Sequence, residues 1–109
     1  MDSVRNSITL IGNLGKNPET KTFEEGRTMV KFSMATTEKY RNKEGELTES
    51  TQWHNIVAWG KNAENMGKLL KKGKGVVIRG RLVYRSYEDK EGITRYLSEI
   101  IANDFALLG

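Results

Sequence analysis

The sequence predicts an all-β fold, in which five strands form a Greek-key barrel and one short helix lies between the third and fourth strands. Two patterns predict it. Most of the 109 residues alternate between apolar and polar side chains with a period of two, which is typical of half-buried strands. One stretch in the second half changes to steps of three and four residues, which is typical of an amphipathic helix. We therefore expect a single domain, 1–109, around one core.

The predicted strands follow the alternation in chain order. They are marked by their apolar residues or by their ranges: Ile8, Leu10 and Leu14; Val30, Phe32 and Met34; 51–59; 76–87; and 94–105. The first strand ends at a turn that Gly15 and Pro18 indicate. The charged segments 41–50 and 88–92 each contain a glycine, and we expect them to be hairpin loops.

The helix is predicted over 61–72. Ala63, Met66 and Leu70 recur on one side of it and form an apolar stripe. Gly73 is expected to end the helix in a left-handed conformation. Strands and helix in this order are those of an oligonucleotide/oligosaccharide-binding (OB) barrel, although the pattern alone also permits another small barrel.

Composition excludes several kinds of site. The chain has no cysteine and one histidine, so disulfides, thiolate zinc sites and multi-histidine sites are excluded, and we expect no metal and no cofactor. The net charge of +4 favours a polyanionic partner, but such an excess is also common for solubility alone. The sequence has neither a membrane-length apolar run nor a signal core, so we expect a cytoplasmic or organelle-matrix protein and no membrane contact.

The run at 51–60 carries the candidate binding chemistry. On a strand Trp53 and Trp59 share one face and lie roughly 20 Å apart. The opposite face, with Ile56 and Ala58, is expected to point to the core. Two indoles too far apart to pack on each other are suited to stacking separate bases of a single strand.

The next predicted strand adds positive charge. Arg79, Arg81, Arg85 and Tyr87 share one face of it. This face cannot line a barrel interior, because a buried unpaired charge is very costly. It is therefore expected to meet solvent, a partner subunit or an anion.

Some of these residues have a second interpretation. Tyr40 and Tyr87 lie beside charged loops, and the pattern alone is equally compatible with caps at the barrel ends. His54 is interpreted as a packing or interface residue rather than a catalyst. The sequence shows no nucleophile beside a base, no carboxylate cluster and no phosphate-binding glycine motif, so an enzyme is not expected.

Short motifs occur along nearly the whole chain, from about residue 5 to 103. They are NSITLIGNLG, PE, AT, WH, WGK, LKKG and GRL, which begin at residues 6, 18, 35, 53, 59, 70 and 80. Together they resemble the bacterial and organellar single-stranded DNA-binding protein (SSB) family. The resemblance implies an OB barrel that assembles as a homotetramer and wraps single-stranded DNA around its outside.

The resemblance also implies three sets of site residues. The base-stacking set is Tyr40, Trp53, Trp59 and Tyr87. The phosphate-binding set is Lys21, Arg41, Lys43, Lys61, Lys72 and Arg85. The subunit-interface set is His54, Val77, Arg79 and Arg81.

Three departures from the family pattern change what we expect. The chain ends without the Gly/Pro/Gln-rich linker and acidic tip that are usual in the family, so recruitment of partner proteins through such a tail is not expected. Arg79 and Arg81 fall on the tetramer-forming surface, where they would pair across subunits or, by repulsion, limit assembly to a dimer. Asn55 occupies a position that can be basic in relatives, which would weaken DNA binding slightly.

The leading hypothesis is a non-enzymatic protein that binds single-stranded DNA without sequence preference and protects it in DNA replication, recombination and repair. The nearest alternative is a related OB module that serves as an assembly factor, like primosomal replication protein B. A cold-shock type of RNA chaperone is a more distant alternative, because closely spaced aromatic motifs on adjacent strands are not evident.

Overall fold

A computed structural model describes residues 5–108 of the chain, which form strands of very different length and one helix. In chain order the elements are β1 (Ile8–Leu14), β2 (Glu19–Thr22), β3 (Thr28–Arg41), β4 (Leu47–Trp59), α1 (Gly60–Leu69), β5 (Gly75–Glu88) and β6 (Thr94–Leu107).

The sheet closes on itself. Its strand order is β1-β5-β6-β4-β3-β2, and β1 also pairs with β3 where Asn13 and Leu14 meet Ala35 and Met34. The pair β4–β6 is parallel, and the other pairs are antiparallel. Five strands therefore form a closed barrel with the helix between β4 and β5, which are the third and fourth barrel strands. The predicted OB fold class is confirmed.

The core fills the barrel with residues from the inner face of each long strand and from the helix. Val30, Met34 and Ile78 are fully buried in one cluster with Ala63 and Met66 of α1. The period-two and helical patterns in the sequence thus identified the two sides of the core. Within the described part of the chain, no helix is both long enough and apolar enough to cross a membrane.

The strand β2 was missed in the sequence. All four of its residues are exposed and none of them is apolar, so the segment carries no alternation of apolar and polar side chains. It pairs only with β3, at the edge of the sheet. Alternation of apolar and polar residues marks strands that have one buried face. An edge strand that is exposed on both faces therefore cannot be predicted from it.

The hairpin β3–β4 is longer than predicted, because its outer half is solvent-exposed on both faces. The loop expected at 41–50 shrinks to 42–46. Two cross-strand contacts link the polar part of the hairpin: Lys39 Nζ lies 3.9 Å from Glu49 Oε1, and the hydroxyls of Thr37 and Thr51 lie 3.3 Å apart.

The helix ends at Leu69, three residues earlier than predicted. Leu70 has an extended backbone, and its side chain enters the core. Gly73 is left-handed, as expected, but it belongs to a separate turn in which the amide of Lys74 donates to the carbonyl of Lys71. Gly73 is therefore not the helix cap.

Candidate nucleic-acid interface

The candidate side chains of β4 and β5 meet on the solvent side of the sheet, which we call the outer face. Residues paired across a ladder share a face, and Ile101 of β6 is paired both with Val57 and with Arg81. The face that carries Trp53 and Trp59 is therefore continuous with the face that carries Arg81 and Arg85. In the sheet β6 lies between β4 and β5, and the sequence pattern did not predict this strand order.

Two adjoining depressions of about 390 and 470 Å³ run over the outer face, and we call them together the binding groove. Both are lined by Lys31, Val57, Arg85 and Glu99. One continues toward the loop after β1, and the other continues toward Trp59. Val57 forms an apolar floor at their junction, and it is buried although it faces outward.

Trp53 presents an open ring. Its side chain is 62% exposed, and one part of the indole lies against Gly15. A Cβ atom at Gly15 would stand 2.5 Å from Cζ3 of the indole, so only glycine leaves room for the ring in this position. This geometry leaves a large aromatic surface accessible to a planar ligand.

Trp59 is more enclosed, at 36% exposure. The phenyl ring of Phe23 stacks on the indole with 5.7 Å between centroids and 22° between planes. The guanidinium carbon of Arg27 lies 4.6 Å from the indole centroid, at cation–π distance. Phe23 and Arg27 flank the turn between β2 and β3, and neither was singled out in the sequence.

Arg85 is held in the groove by an acidic residue. Its Nε donates to Glu99 Oε1 at 2.9 Å, and its Nη2 lies 3.5 Å from Glu99 Oε2. The Glu99 side chain is 6% exposed and the Arg85 side chain is 60% exposed. The guanidinium therefore extends toward solvent while the carboxylate that holds it is buried. Glu99 was missed in the sequence, although its alternation with Ile100 on β6 places it on the outer face.

The predicted stacking tyrosines lie on different faces. Tyr87 is paired with Arg95 and belongs to the outer face at the far end of β5. Tyr40 follows Met34 at even spacing along β3, so it continues the inner face beyond the barrel. Both are about half exposed, at 51% for Tyr40 and 52% for Tyr87. The structure thus brings Tyr87, but not Tyr40, to the face of the tryptophans.

The predicted phosphate-binding residues are all exposed, but several are engaged locally. Arg41 donates from Nη1 to the carbonyl of Gly45 at 2.8 Å, next to Lys43 in the same turn. Lys61 Nζ lies 3.8 Å from Glu64 Oε2. The amide of Lys72 donates to Asn17 Oδ1, and Asn17 lines the groove.

Lys21 lies beside the enclosed tryptophan. Its Nζ is 4.9 Å from the centroid of the Phe23 ring. Lys31, which was not predicted, lies in the centre of the groove and alternates with Val30 and Phe32 of the core. This alternation could have predicted from the sequence that Lys31 points outward. Within residues 5–108 neither lysine forms an ion pair with a carboxylate.

The predicted subunit-interface residues differ in the contacts that they make. The Nε2 atom of His54 lies 2.9 Å from the hydroxyl of Thr36, in keeping with a packing role. Val77 is half-buried and is paired with Ile11 of β1, whose side chain is 60% exposed. Arg79 pairs with Asp104 at 3.3 Å.

Arg81 is separate from Arg79, although both face outward from β5. Arg81 lines the binding groove beside Trp59 and Arg85, whereas Arg79 lines a different depression with Thr9. The groove therefore combines, within one surface, cationic side chains of β3 and β5 with an indole of β4: Lys31, Arg81, Arg85 and Trp59. Among residues 5–108 no group of three or more histidine or acidic side chains is arranged to hold a metal ion.

Known proteins that resemble the chain over nearly its whole length are single-stranded DNA-binding proteins. The model of the family described as "Single-strand binding protein family" matches residues 5–108. The chain is 45% identical over 105 residues to Single-stranded DNA-binding protein 1 of Chlorobaculum tepidum and 41% identical over 104 residues to the Single-stranded DNA-binding protein of Neisseria meningitidis. These matches cover 95% of the chain but 65% and 60% of the two relatives, so the chain spans less than two thirds of their length.

Solved structures give the same similarity. The protein in the Plasmodium falciparum SSB complex with ssDNA superposes with a TM-score of 0.89 at 31% identity, over 100% of this chain and 99% of that one. A deletion variant of the single-stranded DNA binding protein from Thermus aquaticus superposes with a TM-score of 0.83 at 26% identity, over 95% of this chain and 50% of that one.

Proposed function

The chain belongs to the single-strand binding protein family, and from this premise we propose that it binds single-stranded DNA without sequence preference. Bases stack on the aromatic rings of the outer face, and phosphates pair with the lysines and arginines beside them. In the cell the complex protects single strands during replication, recombination and repair. The role is binding rather than catalysis.

One observation carries the proposal: two outward indoles share one face of the sheet, and one of them lines a groove that has cationic side chains along its walls. Every base has a flat π-face, so this surface does not depend on sequence. A duplex hides those faces between its stacked pairs, and it is expected to bind poorly.

The proposal gives each predicted residue a role. We assign stacking to Trp53, Trp59 and Tyr87 on the outer face, with Tyr40 contacting strands that pass over the opposite side of the β3–β4 hairpin. The phosphate contacts remain those expected from the sequence: Lys21, Arg41, Lys43, Lys61, Lys72 and Arg85.

Assembly is a further part of the proposal. On the β1–β5 side of the barrel, outside the groove, the exposed Ile11 is paired with the half-buried Val77. We propose that this side, with His54 and Arg79, joins subunits into a homotetramer. If Arg79 and Arg81 repel the same residues of another subunit, assembly stops at a dimer. A cytoplasmic, nucleoid-associated location agrees with this role.

The test is titration with oligo(dT) while tryptophan fluorescence and particle mass are recorded. We expect strong quenching and an affinity that falls with salt at a slope of about −0.7 per neutralised phosphate. A W53A/W59A double variant should lose most of the affinity while its circular dichroism stays unchanged. Equal affinity for duplex and single strand, or an unweakened double variant, would contradict the proposal.

A further inference from the structure

Three hairpin turns of the chain have the same backbone. They occupy 23–27, 42–46 and 89–93, with the sequences FEEGR, NKEGE and DKEGI. In each, the first amide donates to the last carbonyl and the glycine amide donates to the first carbonyl, at 2.8–3.0 Å. The glycine at the fourth position has a φ of 79° to 85° in all three turns, a left-handed conformation that favours this residue.

The turns differ at their first residue. Asn42 Oδ1 accepts from the amides of Glu44 and Glu46, at 3.0 and 2.9 Å. The third turn repeats this arrangement, because Asp89 Oδ1 accepts from the second and fourth amides that follow it. A side-chain oxygen that caps the turn is the usual reason for Asn or Asp at this position. Phe23 has no such oxygen, so the turn at 23–27 lacks both hydrogen bonds.

The ring at this position faces the binding groove instead. Phe23 is half-buried, stacks on Trp59 and lines the groove together with Val57, Arg81 and Arg85. The guanidinium of Arg27 lies 4.6 Å from the indole centroid, so a nucleobase that stacks there takes the place of this planar group.

The opposite wall supplies charge. Arg81 lines the same depression as Phe23, is exposed, and forms no ion pair with a carboxylate in the described part of the chain. A cation that forms no ion pair among residues 5–108 and lines one depression with two rings is suited to binding a phosphate whose base stacks on the rings.

We propose that Phe23, Trp59 and Arg81 form one composite nucleotide subsite, in which the two rings hold a nucleobase and Arg81 binds the adjoining phosphate. The proposal rests on the proposed single-strand binding and deepens it. It gives the chain a stacking residue at the turn between β2 and β3, and it moves Arg81 from the subunit interface into the DNA site.

The deciding variant is F23N. The asparagine restores the oxygen cap that the other two turns have, so the turn keeps its backbone while the ring is removed. We expect the affinity for oligo(dT) to fall about fivefold or more, as for loss of one stacked base, with the circular dichroism unchanged. Y84A is the matched control, because Tyr84 is 76% exposed on the inner-face side of β5, and its removal should leave affinity unchanged.

Arg81 is tested against its neighbour. R81Q should lower the magnitude of the salt slope by about 0.7, the value for one phosphate contact. R79Q, two residues away on the same face but outside the groove, should leave the slope unchanged, and R81Q should keep the mass of the parent.

The outcomes separate this proposal from the broader one. If the parent protein binds oligo(dT) tightly and F23N binds equally tightly, the composite subsite is wrong and single-strand binding stands. If R81Q changes the particle mass and not the slope, Arg81 belongs to the subunit interface and the subsite is again wrong. If the parent protein does not bind oligo(dT), the proposed function fails, and the subsite fails with it.

Discussion

Trp53 and Trp59 lie on the same face of β4, yet their surroundings differ. The indole of Trp53 is 62% exposed and rests on a glycine. The indole of Trp59 is 36% exposed and is packed against a phenyl ring and a guanidinium. One ring is an open platform, and the other is part of an aromatic and cationic cluster.

The difference follows from the neighbouring strands. Trp59 ends β4 opposite Met29, where the β2–β3 turn extends the sheet and brings Phe23 alongside. Trp53 lies opposite Ala35, a small residue, next to the loop after β1. Stacking energy depends on the ring area a base can cover, so two tryptophans on one face need not contribute equally.

The largest expected effect separates the two rings. W53A should weaken oligo(dT) binding by about 1–3 kcal/mol, roughly 5- to 150-fold, because nothing else covers the base at that end. W59A should have a smaller effect, since the phenyl ring of Phe23 remains. Fluorescence titration of both variants measures this, and a larger loss in W59A would reverse the ranking.

Single-tryptophan variants report the same contrast without DNA. W59F keeps only the exposed Trp53, and W53F keeps only the enclosed Trp59. We expect emission at longer wavelength from W59F, because its remaining indole is the more hydrated. Emission of equal wavelength from the two variants would show that the rings have similar surroundings in solution.

A smaller effect tests the support beneath Trp53. In G15A the new Cβ would stand 2.5 Å from the indole, so the ring must swing away from its position. We expect a loss of roughly 1 kcal/mol in oligo(dT) binding, about fivefold. In the W59F background the emission should change on this substitution, whereas in the W53F background it should not.

The sequence predicted the parts of the groove that belong to long, half-buried strands. The outward face of Trp53 and Trp59 followed from the buried Ile56 and Ala58 between them. The sequence did not predict that β6 lies between β4 and β5, because alternation gives the face of a residue and not the order of strands. Glu99 therefore appeared between the tryptophans and the arginines without having been expected.

Phe23 was missed for a different reason. It lies in a short turn beside an edge strand with no apolar alternation, so periodicity gives it no role. Its signal is comparative: three turns share a pattern, and only this one begins with a ring. Such a signal is visible in the sequence, but it is interpretable only when the three backbones are known to be alike.

Glu99, the acid between the tryptophans and the arginines, gives a test in the opposite direction. E99Q removes a negative charge that lines the binding groove, and we expect oligo(dT) affinity at low salt to rise about twofold. The free energy of unfolding should fall by about 1–3 kcal/mol, because the charge-assisted contact with Arg85 is lost. E49Q is the matched control, since its ion pair with Lys39 is exposed and should contribute less than about 1 kcal/mol. Weaker DNA binding by E99Q would instead make Glu99 a positioning residue for Arg85.

The smallest effect concerns the end of the outer face that Tyr87 occupies. Tyr87 is paired with Arg95, and Arg95 donates from Nε to Asp89 Oδ2 at 2.9 Å. That hydrogen bond, followed by the amides of Ile93 and Glu91, lowers the pKa of Asp89 below its ordinary value of 3.8. The folded pKa is the lower one, so the ionised carboxylate stabilises the hairpin above the ordinary pKa, and this is lost as pH falls through the folded value.

The β5–β6 hairpin should therefore loosen in acid below about pH 4, whereas the turn at 42–46, capped by a neutral asparagine, should not. Amide exchange or side-chain signals of Tyr87 followed between pH 6 and pH 3 would measure this. D89N keeps an oxygen for the turn amides and loses the charge that attracts Arg95, so its hairpin should show no such pH dependence. An equal response of both turns to acid would place the cause in the whole fold, since only one of the two caps can take up a proton in this range.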